Sequence, residues 1–382
     1  MTRKLHIITL VIVLWFAGLL AGAQFAKISV FLPELKALYP DHSGQTAWLL
    51  TLVSVVGAVL GGVSAGLANR LGLRPVLLLS LVLGGLLSLW QASVPGYGVM
   101  AISRVLEGGT HLGIVVTAPA LMAEVSSPRW RGASMALWGT FFGVSFALMA
   151  WFGIPASVST GVDGIFLLHG AAMLMTALVL FVLTRNFRAM ERESTLSGPL
   201  PPSALSILQN IRVFWPALGW LFYTTLFLSL LTILPTGLPE IQRAQVTTVM
   251  SLVGIGTGLL LLPILLLRLR ATSVVIGAFG LASVMNFAAP MLNLTLFAVG
   301  LFAILGLVQS GTFAAVAQLN TSTHMRTLGF GLMAQTGNLG NLLGTPVLLE
   351  VQDQFGPTPM LITSASLYAV GFLILWFLIR RV

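Results

Sequence analysis

Three ionisable residues occupy one apolar stretch of the chain, at a spacing that places them on one side of an α-helix. Arg104, Glu107 and His111 are three and four positions apart, and a helix with 3.6 residues per turn brings all three to one face. A charged side chain at the centre of a bilayer costs about 2.5–3.5 kcal/mol on insertion scales. We therefore expect this face to point into the protein, with Arg104 and Glu107 close enough to pair.

Two interpretations of this helix face stay open. In the structural interpretation, Arg104 and Glu107 form a buried ion pair that fixes helix packing, and His111 is a neutral core residue. In the functional interpretation, Arg104 faces a substrate cavity, while Glu107 and His111 bind and release a proton. Arginine stays charged and cannot carry that proton, whereas the imidazole of a histidine titrates near neutral pH.

A second cation, Lys27, lies near the end of the first apolar segment. It is either a lysine that extends to the membrane interface or a cavity cation that attracts an anionic substrate together with Arg104. Gln24 shares its helix face, which suits a polar cavity lining. His169, in the sixth segment, is predicted to be a packed core histidine. The other candidate substrate contacts are Trp138, Tyr223, Gln309, Gln335 and Asn338.

The elements that carry these residues are about twelve apolar stretches of roughly 20 residues, each able to cross a bilayer core as a helix. Of the 382 residues, 57% are hydrophobic and 8% charged. The sequence therefore predicts an all-α membrane protein. The predicted helices are 7–32, 46–68, 75–94, 98–123, 132–154, 164–184, 213–235, 246–269, 273–291, 294–319, 328–349 and 358–379.

A polar stretch divides the predicted helices into two sets of six. Residues 185–206 mix charges, serine, glycine and three prolines, which is the composition of a linker. We predict an N-terminal bundle at 1–185, a cytoplasmic linker at 186–212 and a C-terminal bundle at 213–382. With cytoplasmic termini, all but four of the nineteen Lys and Arg residues fall on the cytoplasmic side, as the positive-inside rule requires. The exceptions are Lys27, Lys36, Arg104 and Arg243.

Several function classes find no support in the sequence. The basic residues are scattered between segments and form no patch, so nucleic acid is not an expected partner. No glycine-rich phosphate loop, metal-ligand cluster or nucleophile triad occurs, so neither ATP-driven transport nor an enzyme is predicted. The expected partners are a small-molecule substrate and the lipid bilayer, and no cofactor or metal is expected.

Short motifs at three helix ends resemble those of the major facilitator superfamily. Residues 65–74 (AGLANRLGLR) are similar to the family's G-x-L-A-D-R-x-G-R-[KR] turn, with Asn69 at the acidic position. Residues 104–108 are similar to the R-x-x-q-G pattern of helix 4, and residues 128–132 to the turn that follows it. The resemblance implies two six-helix bundles related by pseudo-two-fold symmetry, a midplane site between them and a monomer. It also implies conformational gating by Asn69, Arg70, Gly72, Arg74 and Arg131.

The residues and the resemblance together predict a secondary transporter that works by alternating access. Organic-ion symporters of the family carry an arginine and acidic residues on helix 4, which resembles Arg104 with Glu107 and His111. We expect proton symport of a small organic anion, driven by the proton gradient, in a bacterial cytoplasmic (inner) membrane. One alternative is a proton-coupled exporter of an amphipathic compound, although residues 139–143 lack the proline typical of drug antiporters. A further alternative is a non-transporting membrane sensor.

Overall fold

The described part of the chain is almost entirely helical. The computed structural model describes residues 3–127, 130, 134, 137–184, 210–320 and 323–380, and these ranges contain no strand. Helices satisfy their own backbone hydrogen bonds, which is why long apolar segments adopt them in a bilayer. The chain divides into two compact units, 1–199 and 200–382. The polar stretch predicted as a linker lies almost entirely outside the described residues, so the predicted domain boundaries stay a prediction.

In its described residues the first unit contains eight helices, three of which have eight residues or fewer. They are α1 (Arg3–Ser29), α2 (Leu32–Leu38), α3 (Thr46–Thr51), α4 (Ser54–Leu71), α5 (Leu73–Gln91), α6 (Tyr97–Val125), α7 (Phe141–Leu148) and α8 (Ile154–Thr184). A 3₁₀ turn, Pro40–Gln45, precedes α3, and a π-helical turn, Met149–Gly153, joins α7 to α8.

The second unit contains seven helices in its described residues. They are α9 (Ile211–Ile233), α10 (Glu240–Gly256), α11 (Leu262–Leu266), α12 (Ala271–Ala288), α13 (Leu294–Leu319), α14 (Thr323–Phe355) and α15 (Pro357–Ile379). A π-helical turn, Thr257–Leu261, joins α10 to α11. Short 3₁₀ turns follow α9 and α12.

The apolar helices agree with a protein that crosses the membrane many times. Nine helical stretches of the described residues are long and apolar enough to span a bilayer, or ten if the bent pair 40–51 and 54–61 is one span. With the bent pair counted as one span, the total is two below twelve, for two reasons. The stretch Phe141–Thr184 runs as one 44-residue segment, although its backbone breaks at Gly161 (φ +72°). The polar helix α14, predicted at 328–349, is not among the nine.

Two glycines make the sharp turns between consecutive helices. Gly72 (φ +91°) separates α4 from α5, and Gly356 (φ +90°) separates α14 from α15. Residues other than glycine are disfavoured at such positive φ angles because their Cβ atom clashes with the backbone. The glycine of the resembled motif at position 72 therefore has a conformational reason in this chain.

Apolar packing of four helices forms the core of the first unit. Large side chains of α1, α5, α6 and α8 meet there, among them Leu14, Leu81, Ile114 and Met173. The polar residues of the same helices follow at one end of this core. The position of the polar residues is thus set by helices that are already held together by apolar contacts.

In the second unit, α9 packs closely against the glycine face of α14. An added Cβ at Gly340 would lie 2.7 Å from the carbonyl oxygen of Leu221, and one at Gly337 would lie 2.5 Å from the Trp220 ring nitrogen. At Gly344 it would collide with the carbonyl oxygen of Thr225. These three glycines thus permit a close contact between the two helices. Small residues are the usual means of such an approach in membranes.

We expect Gly344→Ala to destabilise the second unit, because the new methyl group meets backbone that cannot turn aside. Overpacking of this kind costs about 1–3 kcal/mol. Gly331→Ala is the matched control, since its Cβ would meet nothing within 4 Å. The measurement is the thermal unfolding midpoint of the two purified variants in detergent. Equal midpoints would contradict the proposed contact.

A similar pair of neighbouring glycines tests the packing of α6 in the first unit. A Cβ at Gly108 would collide with the carbonyl oxygen of Val53, just before α4, whereas a Cβ at Gly109 would meet nothing within 4 Å. We expect Gly108→Ala to lower the unfolding midpoint and Gly109→Ala to leave it within error. A loss of stability in both variants would instead indicate an effect on the helix itself.

Candidate functional site

Four helices of the first unit bring a set of polar side chains together at the end of the apolar core. Helices α1, α5, α6 and α8 pack against one another here. All these side chains are less than 9% exposed. We call this set the polar cluster; it consists of Gln24, Lys27, Ser88, Gln91, Ser103, Arg104, Glu107, Thr110, His111 and His169.

The carboxylate of Glu107 is the centre of the polar cluster. Its Oε1 accepts a hydrogen bond from Lys27 Nζ at 2.8 Å, and its Oε2 accepts from Gln91 Nε2 at 2.8 Å and from Arg104 Nη1. The ion pair of Arg104 with Glu107 that the sequence predicted is therefore confirmed. Both oxygens accept only, which is the pattern of an ionised carboxylate.

Arg104 ties three helices together through its guanidinium group. Nε donates to the carbonyl oxygen of Leu49 in α3 at 2.8 Å, and Nη2 donates to that of Gln24 in α1 at 2.6 Å. With Nη1 on Glu107, each of its nitrogens has a protein acceptor, and the side chain is fully buried. A substrate anion at Arg104 would thus have to replace one of these acceptors.

Lys27 is buried in the polar cluster and does not reach an interface. Its Nζ donates to Ser88 Oγ at 3.0 Å and to Gln91 Oε1 at 2.8 Å, besides Glu107. The ring of Phe166 covers it at 5.0 Å from the centroid. The interpretation of Lys27 as an interface lysine is wrong, because acceptors on α5 and α6 hold the ammonium group inside the unit.

The two histidines of the polar cluster are hydrogen-bonded in different ways. His111 Nδ1 lies 3.2 Å from the carbonyl oxygen of Ala21 and 3.1 Å from Gln24 Oε1, so Gln24 joins it to α1. His169 Nε2 lies 3.0 Å from the carbonyl oxygen of Leu20, and its Nδ1 lies 3.4 Å from Lys27 Nζ. His169 is buried as predicted, but it is also a neighbour of the charged groups, which the sequence did not indicate.

The formal charge of the polar cluster is positive when both histidines are neutral. Lys27 and Arg104 contribute one positive charge each, and Glu107 contributes one negative charge. In an interior of low dielectric constant an unbalanced charge is costly. The arrangement can therefore attract a further negative charge.

Two members of the polar cluster, both on α5, were not predicted from the sequence. Ser88 and Gln91 are fully buried and contact Lys27, and Gln91 also contacts Glu107. Their three-residue spacing on an apolar helix was a signal of a shared polar face. The sequence did not indicate towards which neighbouring helices that face points.

The other predicted substrate contacts of the first and second units lie outside the polar cluster. Trp138 packs on Phe141, with ring centroids 4.7 Å apart, and against Gly18 of α1. Tyr223 is buried in α9 between the rings of Trp220 and Phe227. Its hydroxyl group has no hydrogen-bond partner among the described residues.

The amides of the second unit that the sequence singled out are only partly buried. Gln309 lies on α13, and Gln335 and Asn338 lie on α14. Asn338 Nδ2 donates to the carbonyl oxygen of Ala334 on its own helix at 2.9 Å. Their roles in substrate binding, and those of Trp138 and Tyr223, stay predictions.

The structure describes only some of the residues predicted to gate the transport cycle. Arg74 Nε donates to Thr184 Oγ1 at 2.7 Å, and Nη2 donates to the carbonyl oxygen of Phe181 at 3.4 Å. Arg74 therefore binds the C-terminal end of α8, where a cation is favoured by the helix dipole. Arg131 and the side chains of Asn69 and Arg70 lie outside the described residues. The gating roles stay predictions.

No group of three or more His, Asp or Glu side chains in the described ranges could hold a metal ion. The polar cluster contains a single carboxylate, and two cations occupy both of its oxygens. Its observed interactions are charge pairing and hydrogen bonding.

Comparisons with known proteins agree on one family. The model of the Major Facilitator Superfamily matches residues 14–345. The 3-(3-hydroxy-phenyl)propionate transporter of Escherichia coli K12 is 27% identical over 381 residues, which are 94% of this chain and 90% of that protein. The galactose-proton symporter of the same organism is 30% identical over 32% of this chain and 26% of its own length.

Another relative matches only part of the chain. Human synaptic vesicle glycoprotein 2A is 31% identical over 153 residues, which are 38% of this chain but 20% of that protein. The chain thus spans about a fifth of the synaptic vesicle relatives that it matches.

The fold has a counterpart among solved structures. The crystal structure of the human organic anion transporter MFSD10 (TETRAN) aligns with a TM-score of 0.66, covering 98% of this chain and all of that one. The identity is 19%, so this likeness concerns the fold alone. Since the family model covers most of the sequence and the helical architecture agrees, the chain belongs to the Major Facilitator Superfamily, a family of transporters rather than of enzymes, and is a multi-pass membrane protein.

Proposed function

We propose that this transporter takes up a small organic anion together with a proton, and that aromatic carboxylates are the substrate class. The proton gradient supplies the energy through alternating access, without a bound cofactor. The observation that carries the proposal is the polar cluster, where two buried cations, Lys27 and Arg104, share one carboxylate, Glu107. We place the protein in a bacterial cytoplasmic (inner) membrane as a monomer.

The preference for an anion follows from the charges of the polar cluster. Hydrogen bonds between a carboxylate and an arginine or lysine are among the stronger ones in proteins. A substrate carboxylate can take the place of Glu107 at Arg104 or Lys27, or of the backbone acceptors of Arg104. In each case the cation keeps a partner during the exchange. Gln24, bonded to Thr110 and next to His111, can follow such a rearrangement.

Two relatives support the substrate class and the coupling. One is named as a transporter of 3-(3-hydroxy-phenyl)propionate, an aromatic carboxylate, and it aligns with nearly the whole chain. Another is named as a proton symporter.

Proteoliposomes that contain a pH-sensitive dye test the proposal directly. We expect external 3-phenylpropionate to acidify the lumen faster than in liposomes without protein, because each anion enters with a proton. Pools of aliphatic mono- and dicarboxylates and of amphipathic cations are tested in parallel. Alkalinisation by an amphipathic cation alone would support the exporter, and ligand binding without any flux would support the sensor. Either result would reject anion symport.

Arg104 is the residue whose loss should affect anion transport most directly. We expect Arg104→Ala to reduce uptake of 3-phenylpropionate at least tenfold, since a hydrogen bond to a charged group contributes about 1.5–3 kcal/mol. Glu107 keeps Lys27 and Gln91 as partners in this variant, so the protein should still fold. Arg104→Lys should retain more activity than Arg104→Ala, because it keeps the charge.

Arg268→Ala is the control for the loss of a positive charge, because Arg268 is exposed at the end of the α10–α11 segment. Its uptake rate should equal that of the wild type. Size-exclusion chromatography in detergent checks that all three variants are folded. Normal uptake by folded Arg104→Ala would exclude Arg104 from substrate recognition.

A further inference from the structure

His169 is the histidine whose ring contacts the charged part of the polar cluster. Its Nε2 lies 3.0 Å from the carbonyl oxygen of Leu20. A carbonyl oxygen only accepts, so Nε2 carries the hydrogen and donates it. In the neutral ring, Nδ1 is then an acceptor. This nitrogen faces Ser88 Oγ at 3.0 Å and Lys27 Nζ at 3.4 Å.

Nδ1 of His169 lacks a strong donor. The hydroxyl hydrogen of Ser88 goes to the carbonyl oxygen of Phe166 at 2.9 Å, so Ser88 cannot also give it to the ring. The ammonium group of Lys27 has three hydrogens and three nearer acceptors, at 3.0, 2.8 and 2.8 Å. Four acceptors thus share three hydrogens, and His169 Nδ1 is the most distant of the four.

The other titratable groups of the polar cluster are less suited to take up a proton. A proton on Glu107 would replace Lys27, Arg104 or Gln91 as a partner of the carboxylate and would remove the charge that both cations need. His111 uses Nδ1 to donate to acceptors of α1. A proton on its other nitrogen would alter none of the hydrogen bonds that join Lys27, Glu107 and Arg104.

We propose that His169 Nδ1 binds the proton that this transporter moves with its substrate; the inference rests on the proposed proton symport. Protonation converts Nδ1 from an acceptor into a donor towards Ser88 Oγ. It also places a second positive charge beside the ammonium group of Lys27. Lys27 must then move away from His169 and Ser88, so the hydrogen bonds around Glu107 respond to the proton.

The charges around His169 couple this proton to an anion. From α1 it faces Lys27, from α5 the polar side chain of Ser88, and from α6 the charges of Glu107 and Arg104 act on it. The proton raises the formal charge of the polar cluster from one to two positive units. In a low dielectric medium this state is favoured when a negative substrate joins it. By linkage, the proton then strengthens anion binding by the same factor as the anion strengthens proton binding.

Proton uptake on anion binding tests the assignment. Purified protein in weakly buffered detergent solution, with a pH indicator, is mixed with 3-phenylpropionate, and bound ligand is measured by calorimetry. The wild type should take up about one proton per bound anion, which is the ratio expected of symport. His169→Gln should bind the anion more weakly and take up none, because glutamine can still donate to Leu20 but cannot be protonated.

His42→Gln is the control, because His42 is an exposed histidine outside the polar cluster, and it should take up protons as the wild type does. Wild-type proton uptake by His169→Gln, or its loss only in His111→Gln, would overturn the assignment. Anion binding by the wild type without proton uptake would overturn it together with proton symport. If the wild type binds no anion, the proposed substrate class is rejected, and the protonation of His169 is then tested by NMR.

Nitrogen NMR of the wild type detects the tautomer and the protonation state of the His169 ring and requires no transport assay. The protein is labelled with ¹⁵N-histidine, and long-range nitrogen–proton spectra identify the tautomers of its five histidines. We expect one Nε2–H histidine that gains a proton on acidification and whose signals shift in Ser88→Ala. If the histidine that responds to Ser88→Ala is an Nδ1–H tautomer, or gains no proton before the protein unfolds, the assignment is overturned.

Discussion

A carboxylate held between two cations in the apolar interior of one unit determines much of the surrounding structure. Neither Lys27, Arg104 nor Glu107 could remain buried alone, because an unpaired charge in a medium of low dielectric constant costs several kcal/mol. Their pairing therefore requires α1 and α6 to meet at one rotation and one depth. Gln91 and Ser88 extend the same requirement to α5, and His169 extends it to α8.

The apolar contacts and the polar cluster restrict the same four helices in different ways. Leucines and other large side chains hold α1, α5, α6 and α8 together over most of their shared length, but such packing tolerates small rotations. Hydrogen bonds do not tolerate such rotations, because their strength falls steeply when the donor–acceptor distance lengthens or the angle departs from linearity. The close contact of Gly108 with the backbone at Val53 adds a further restriction on α6. Arg104, bonded to Leu49 and Gln24, is thus held from both sides.

The sequence predicted what depends on one helix at a time. The long apolar stretches indicated the all-helical fold, and the 3.6-residue period placed Arg104, Glu107 and His111 on one face. The sequence could not predict contacts that depend on how two helices rotate about their axes. For this reason Lys27 had two interpretations, and Gln91, Ser88 and His169 were not recognised as its partners. The backbone break at Gly161 lies in the gap that the sequence predicted between the helices 132–154 and 164–184.

The charged groups of the polar cluster all have partners, so each can gain a new partner only when it loses an old one. This property suits a transport cycle. Every nitrogen of Arg104 and both oxygens of Glu107 have protein partners, so an anion can enter only by replacing an acceptor that is already there. The same holds for a proton at His169, which displaces Lys27 from the ring. Exchanges of this kind avoid a state in which a charge is buried alone, so they have lower barriers than separate losses and gains. On the proposed mechanism, the proton raises the formal charge of the polar cluster from one to two positive units and the anion returns it to one, so each favours the binding of the other.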